Sequence, residues 1–166
     1  MQTIDNADRE EFEKRYRPPK GVSAVEWLKT IHGEQLELCR ELEDIADSLP
    51  AEVNRQKCIY AAKAIGPLTM GAHRFEEDVL FPWVEQNVSG HPELAATLER
   101  LKFEHFEDEC FIEELTDALL RLGAADATLN PEATGYMLRG YFVSMRRHIA
   151  FEQEHLLAMV GERKAA

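Results

Sequence analysis

The feature that most constrains this chain is a helical pattern in which a histidine precedes a glutamate by four residues. His73 precedes Glu77 in this way, and His148 precedes Glu152. Four residues make about one helical turn, so each pair is expected on one face of a helix. Both pairs fall within apolar stripes, where imidazoles and carboxylates must pair with one another or bind a cation.

Four long segments have the apolar periodicity of amphipathic helices. The chain has only 9 glycines and 7 prolines in 166 residues, which also favours helices. Proline and capping signals place the helices at about Ser23–Leu49, Pro50–Gln86, Leu94–Gly123 and Asn130–Gly161, with a kink at Gly66-Pro67. We therefore predict an all-α, up-down-up-down four-helix bundle over residues 23–166, preceded by a short N-terminal arm or helix over residues 1–22.

Each predicted helix carries a histidine in its stripe, namely His32, His73, His105 and His148, and the fourth stripe also contains His155. The sequence midpoints between successive histidines, at 52.5, 89 and 126.5, all fall on or near predicted turns. Residues equidistant from a turn lie at the same height on antiparallel neighbours. We therefore expect the four histidines to form one layer.

Composition excludes several classes of partner. A net charge of -12 argues against binding to nucleic acid or to an anionic membrane surface. No apolar run reaches the ~18 residues of a membrane span, and no leader pattern opens the chain, so we expect a cytoplasmic protein. The three cysteines are scattered, which predicts buried free thiols rather than a disulfide framework or a thiolate metal site. The oligomeric state cannot be inferred from these features.

Four imidazoles and two carboxylates are a donor set that suits iron, manganese or zinc, and the lack of paired cysteines disfavours an iron–sulfur cluster. Six ligands are too many for one tetrahedral zinc. Two metal ions that share Glu77 and Glu152 as bridges would use every donor. A ferritin-like site needs Glu-x-x-His on two helices, whereas here it occurs only once, at Glu152–His155. His155, one turn beyond Glu152, is expected to be a hydrogen-bond partner of a metal ligand, a spare ligand or a core histidine.

The ordered set of His32, His73-x-x-x-Glu77, His105 and His148-x-x-x-Glu152 resembles the hemerythrin-like, HHE cation-binding domain family. The run Leu80-Phe81-Pro82 that follows Glu77 is similar to the family's second-helix signature. This resemblance implies a bundle that holds two iron ions, bridged by carboxylates and an oxo or hydroxo group, with manganese or zinc as substitutes. The implied metal ligands are His32, His73, Glu77, His105, His148 and Glu152.

This chain differs from oxygen-carrying hemerythrins on the third helix, where Glu109 stands four residues after His105 in place of a second histidine. Glu109 is therefore a candidate additional ligand or neighbour of the metal. An anion there favours Fe(III) over Fe(II). The other interpretation is a solvated glutamate among neighbouring acids.

The function implied by the resemblance is a non-haem di-iron protein that binds or reacts with O2, NO or peroxide, in sensing, scavenging or iron homeostasis and repair. One alternative is a di-iron oxidase or peroxidase that acts on a small organic substrate. A second alternative is an interaction module in which metals only stabilise the bundle.

Overall fold

The computed structural model describes residues 16–162. It is a bundle of four long helices, which confirms the predicted fold class. Helix α1 is Ala24–Ser48 and α3 is Leu94–Gly123. Helix α2 has three successive parts: an α-helical Arg55–Phe75, a π-helical Glu76–Leu80 and an α-helical Phe81–Asn87. Helix α4 is built in the same way, from an α-helical Pro131–Phe151, a π-helical Glu152–Leu156 and an α-helical Leu157–Glu162.

Side-chain caps fix where the helices begin. The Ser23 hydroxyl accepts a hydrogen bond from the Glu26 amide at 3.2 Å, and the Glu26 carboxylate accepts from the Ser23 amide at 3.0 Å, so α1 opens on a complete capping box. The Asn130 side chain accepts from the Ala133 amide at 3.1 Å, and Pro131 begins α4 as expected.

The predicted start of α2 at Pro50 was wrong. Proline disfavours helical geometry in the residue before it, and Leu49 is extended, with φ -72 and ψ 143. The helix begins instead at Arg55, where the Asn54 side chain accepts a hydrogen bond from the Lys57 amide at 3.1 Å. The α-helix then continues through Pro67.

Short connections make consecutive helices neighbours, and all three predicted midpoints fall inside them, at 49–54, 88–93 and 124–130. The most extensive packing joins α2 to α3 and α1 to α4. Helix α1 also packs on α2, and α3 on α4. Fully buried leucines, isoleucines and phenylalanines fill the space between them, so the bundle encloses one continuous core.

Most of the predicted N-terminal arm, residues 1–15, lies outside the described residues. Its last part packs on the bundle: Tyr16 is buried, and its backbone carbonyl accepts a hydrogen bond from the Trp27 indole at 3.0 Å. The Tyr16 ring lies directly over Gly71, where an added Cβ would stand 2.0 Å from the ring.

Within residues 16–162 no helix is long and apolar enough to cross a membrane. All three cysteines are free. Cys39 and Cys58 are buried as expected, but Cys110 is exposed because it lies on the outer face of α3.

Candidate metal centre

The four histidines predicted to form a layer do meet inside the bundle. His32, His73, His105 and His148 lie one on each helix, and each side chain is only 1–2% exposed. The rings of His73 and His105 stack with their centroids 4.0 Å apart, and His105 lies 5.1 Å from His148. The antiparallel connections therefore bring three of the imidazoles into direct ring contact.

The buried carboxylate on α2 is Glu76, not the predicted Glu77. Glu76 is 0% exposed, whereas the Glu77 side chain is 40% exposed. The buried stripe of α2 passes through Thr69, His73, Glu76 and Leu80, in steps of four, three and four. Each residue turns by about 100° around a helix, so Glu77 lies on the flank of this stripe. The equal spacing with His148 and Glu152 was a misleading signal here.

The carboxylate on α4 is the predicted one, since Glu152 is 0% exposed. Its Oε2 lies 2.7 Å from His32 Nε2. His155, one turn further along, is exposed, and its ring lies tilted against that of Phe151 with the centroids 4.4 Å apart. The buried position is taken by Leu156, because the π-helical turn inserts one extra residue after Glu152. His155 is therefore neither a core histidine nor part of this cluster.

Both buried glutamates begin a π-helical turn. Glu76 opens the turn Glu76–Leu80, and Glu152 opens the turn Glu152–Leu156. The local sequences share a Phe-Glu-x-acid-x-Leu pattern, which starts at Phe75 in α2 and at Phe151 in α4. Single π-helical turns occur most often at functional sites, and here they mark the two carboxylates of the cluster.

Glu76 joins two groups of donors. Atoms of Glu76, His105 and His148 lie within 4.8 Å of one another, as do atoms of His32, Glu76 and Glu152. Glu76 Oε2 is 2.8 Å from His105 Nε2 and 3.8 Å from His148 Nε2. Glu76 is therefore the carboxylate that the two groups of candidate metal ligands share.

Outer carboxylates hold three of the four imidazoles through Nδ1. Glu77 contacts His105 Nδ1 at 2.7 Å, so it lies beside a candidate ligand on the outer side of the cluster. Glu104 contacts His148 Nδ1 at 2.8 Å, and Glu109 contacts His73 Nδ1 at 3.1 Å. A carboxylate on Nδ1 fixes the ring and leaves Nε2 as the ligand atom, which is the usual arrangement around protein metal sites.

This arrangement settles where Glu109 lies. It is half-exposed and stands outside His73, so it neither points into the cluster nor lies free among its acidic neighbours. Burial alone would lower the pKa of His73, and the hydrogen bond that its ring donates to Glu109 only partly offsets that effect. Since the pKa of His73 remains lowered, its ring favours the neutral form that binds metals.

The metal-free cluster must balance charge by sharing protons. Burial would raise the pKa of Glu76, but its pairing with His105 and His148 holds that pKa well below the usual value. For Glu152, burial and the charge of Glu76 raise the pKa despite the contact with His32. Burial would lower the pKa of His148, but the hydrogen bond to Glu104 and the nearby charges of Glu76 and Glu152 raise it well above 6.5. Bound cations would take over the role of these protons.

Several buried nitrogen and oxygen atoms of the cluster have no hydrogen-bond partner among the described residues. These atoms are His32 Nδ1, His73 Nε2, His148 Nε2, Glu76 Oε1 and Glu152 Oε1. Buried polar atoms are normally paired. Nitrogen and oxygen atoms left unpaired at one height in a bundle therefore fit a metal site well.

Two buried polar residues of the stripes were missed by the sequence reasoning. Gln35 lies between His32 and Cys39, and Asp108 lies between His105 and Ile112. The predicted stripes step by seven across both gaps, and that missing step was the signal that could have found them. Burial raises the pKa of Asp108 to about 6, although His148 and His105 act in the opposite direction.

Comparison with known proteins gives one clear result. The sequence model of the hemerythrin HHE cation-binding domain matches residues 23–160, which is most of the chain and includes every residue of the cluster. Searches of curated proteins and of solved structures found no significant match. The family match accords with the buried histidine and glutamate groups, and the chain belongs to the hemerythrin HHE cation-binding domain family.

Proposed function

We propose that this metal-binding protein holds two iron ions in the cluster and reacts there with a small ligand, O2, NO or peroxide. The observation that carries the proposal is the shared position of Glu76, which belongs to both groups of donor atoms. One group would use His105 and His148, and the other His32 and Glu152. His73, stacked on His105 with its Nε2 unpaired, would supply the remaining imidazole.

Burial supports a small ligand over an organic substrate. The histidines and the two glutamates of the cluster are at most 2% exposed, so an organic molecule would have to open the bundle to reach them. Three surface cavities, of about 430, 380 and 550 Å³, are lined by other residues. Diatomic molecules and peroxide are small enough to diffuse through a packed helical core during ordinary side-chain motion.

The chain's own residues fix the environment of the ligand. Iron supplies the electrons for reaction with O2 or peroxide. Glu77, Glu104 and Glu109 orient three imidazoles through Nδ1, and the aliphatic and aromatic core around the layer excludes bulk water. A dry and rigid surrounding strengthens every electrostatic interaction within the cluster.

Anaerobic reconstitution with Fe(II), followed by elemental analysis and by optical spectra with O2, with NO and with peroxide, tests this function. We expect about two irons per chain and new absorption bands with these ligands. Glu76→Gln keeps the size of the side chain but removes the shared charge, so it should lower iron content at both positions. A single tightly held zinc with no second site contradicts the proposal. Two irons that respond to none of the three ligands support a purely structural metal site.

A further inference from the structure

A second buried polar layer lies next to the histidine and glutamate cluster. It consists of Gln35, Thr69, Asp108 and Tyr141, all at most 5% exposed. None of these four residues belongs to the two donor groups of the cluster. Polar side chains this deep in a core are costly unless they are hydrogen-bonded.

The register of the helices places all four on the same side of the cluster. Gln35 follows His32 by one turn on α1, and Asp108 follows His105 by one turn on α3. On α2 and α4, which run in the opposite direction, Thr69 precedes His73 by one turn and Tyr141 precedes His148 by two. The Tyr141 and Thr69 hydroxyls are hydrogen-bonded to each other across the bundle.

The layer still has unused hydrogen-bonding capacity. Both amide atoms of Gln35, Oε1 and Nε2, and Oδ2 of Asp108 have no partner among the described residues. A glutamine amide offers two donors and an acceptor, and an ionised carboxylate offers acceptors. Together they can hold a molecule that both donates and accepts hydrogen bonds.

We propose that Gln35 and Asp108, bordered by the Thr69–Tyr141 pair, form an internal pocket that holds water at rest and takes up hydrogen peroxide beside the cluster. This rests on the proposed function and narrows its ligand to peroxide. The two O–H groups of peroxide can donate to Asp108 and to Gln35 Oε1, and its oxygens can accept from Gln35 Nε2. O2 and NO have no hydrogen to donate, so they cannot form a hydrogen bond with the Asp108 carboxylate.

A crystal structure of the iron-loaded protein, at a resolution that shows ordered water, tests the pocket itself. We expect a water within hydrogen-bond distance of both Gln35 and Asp108, because buried polar groups without protein partners usually hold one. The pocket is absent if the two side chains turn out to be bonded only to protein groups. This measurement does not depend on any reaction of the iron.

Peroxide kinetics test the ligand. Each molecule of peroxide that oxidises the reduced centre would take one electron from each of two Fe(II) ions. Its O–O bond would break, and with the uptake of two protons both oxygens would leave as water. The half-saturating peroxide concentration for this oxidation should rise about tenfold in Asp108→Leu, which loses one hydrogen bond, and at least as much in Gln35→Leu, which loses two. The rate of oxidation by O2 should stay within about twofold in Gln35→Leu, which leaves the charge around the cluster unchanged.

Two further variants make the result specific. Asp108→Asn keeps a polar group of the same size and should recover part of the peroxide saturation, even if Asp108→Leu folds poorly. Thr97→Val removes a buried hydroxyl from α3 on the opposite side of His105 and should change neither rate. Equal losses with O2 and peroxide in the pocket variants overturn the peroxide assignment. If the iron-loaded protein reacts with no ligand, the proposed function falls, together with the peroxide assignment, whereas the water-holding pocket is decided by the crystal structure.

Discussion

At the scale of single residues, the outer carboxylates determine how firmly the imidazoles are held. Glu77, Glu104 and Glu109 each contact the Nδ1 atom of a different histidine. The pairing crosses between helices, since Glu109 of α3 holds His73 of α2 while Glu77 of α2 holds His105 of α3. The two central helices therefore fix each other's candidate ligands.

Changing any of these three glutamates to glutamine should weaken iron binding by about 10- to 100-fold without changing the number of irons at saturation, because the ligand atoms themselves remain. Competition with a chelator measures the affinity, and elemental analysis measures the number. Glu107→Gln, an exposed change on the same helix, is the control. If the Glu77→Gln variant bound one iron fewer at saturation, Glu77 would be a metal ligand, as predicted from the sequence.

Glu109 also affects the redox chemistry expected of the centre. It places a negative charge 3.1 Å from His73 Nδ1, and the pairing with His73 holds the pKa of Glu109 below its usual value, so the charge is present at neutral pH. A nearby anion stabilises Fe(III) over Fe(II). We therefore predict rapid autoxidation of the reduced protein, slowed in Glu109→His.

Stopped-flow mixing of the reduced protein with O2 compares the two proteins directly. Glu109→Gln separates charge from hydrogen bonding, since it keeps a side chain of similar size that is neutral. We expect it to slow autoxidation as well. Equal rates in all three proteins, or a long-lived reversible oxygen adduct in the unaltered protein, would show that Glu109 does not set the redox balance.

At the scale of helices, side-chain caps mark the starts of α1, α2 and α4. Asn54→Ala should destabilise the protein by about 1 kcal/mol, because the first turn of α2 loses the acceptor for the Lys57 amide. Urea unfolding of the metal-free protein measures this loss. Glu52→Ala, an exposed change in the same connection that removes no cap, is the control. An unchanged midpoint would mean that packing alone fixes the start of α2.

The same elements show how far sequence reasoning reaches. The capping box at Ser23 and the Asn130–Pro131 start were predictable because those residues have strong positional preferences. Pro50 was misleading because proline is also found at the start of loops. The sequence around Asn54, the actual cap, is a weaker signal for the start of a helix. Helix length and antiparallel order were then enough to predict the histidine layer.

Whether Glu76 or Glu77 is buried depends on a rotation around the axis of α2 that corresponds to a single residue. Adjacent glutamates differ by about 100° around the helix, and only packing against the other helices decides which one is buried. The π-helical turns add an unpredicted residue to each of two helices, which moved Leu156 rather than His155 into the core. Such turns have no dependable composition signal, although the shared Phe-Glu-x-acid-x-Leu pattern can now serve as one.

At the scale of the whole molecule, the cluster links stability to pH. The pairing with carboxylates overcomes burial and raises the pKa values of His105 and His148 above 6.5. A histidine whose pKa is higher in the folded state stabilises the fold below its ordinary value of 6.5, and this contribution is lost as pH rises through the raised pKa. Burial lowers the pKa of His73, so this histidine reduces the stability of the fold, but only at pH values below 6.5.

The metal-free protein should therefore lose stability as pH rises from about 6.5 toward 9, where protons leave His105 and His148 and the buried glutamates lose their compensating charge. Bound metal ions replace those protons, so the loaded protein should melt at a higher temperature and with much less dependence on pH in this range. Melting temperatures of both forms at pH 6 to 9, with the Glu76→Gln variant for comparison, measure the effect. That variant lacks the charge that raises the histidine pKa values, so its metal-free form should have a flatter profile. A metal-free protein that is equally stable at pH 6 and pH 9 would mean that no protons are held in the cluster.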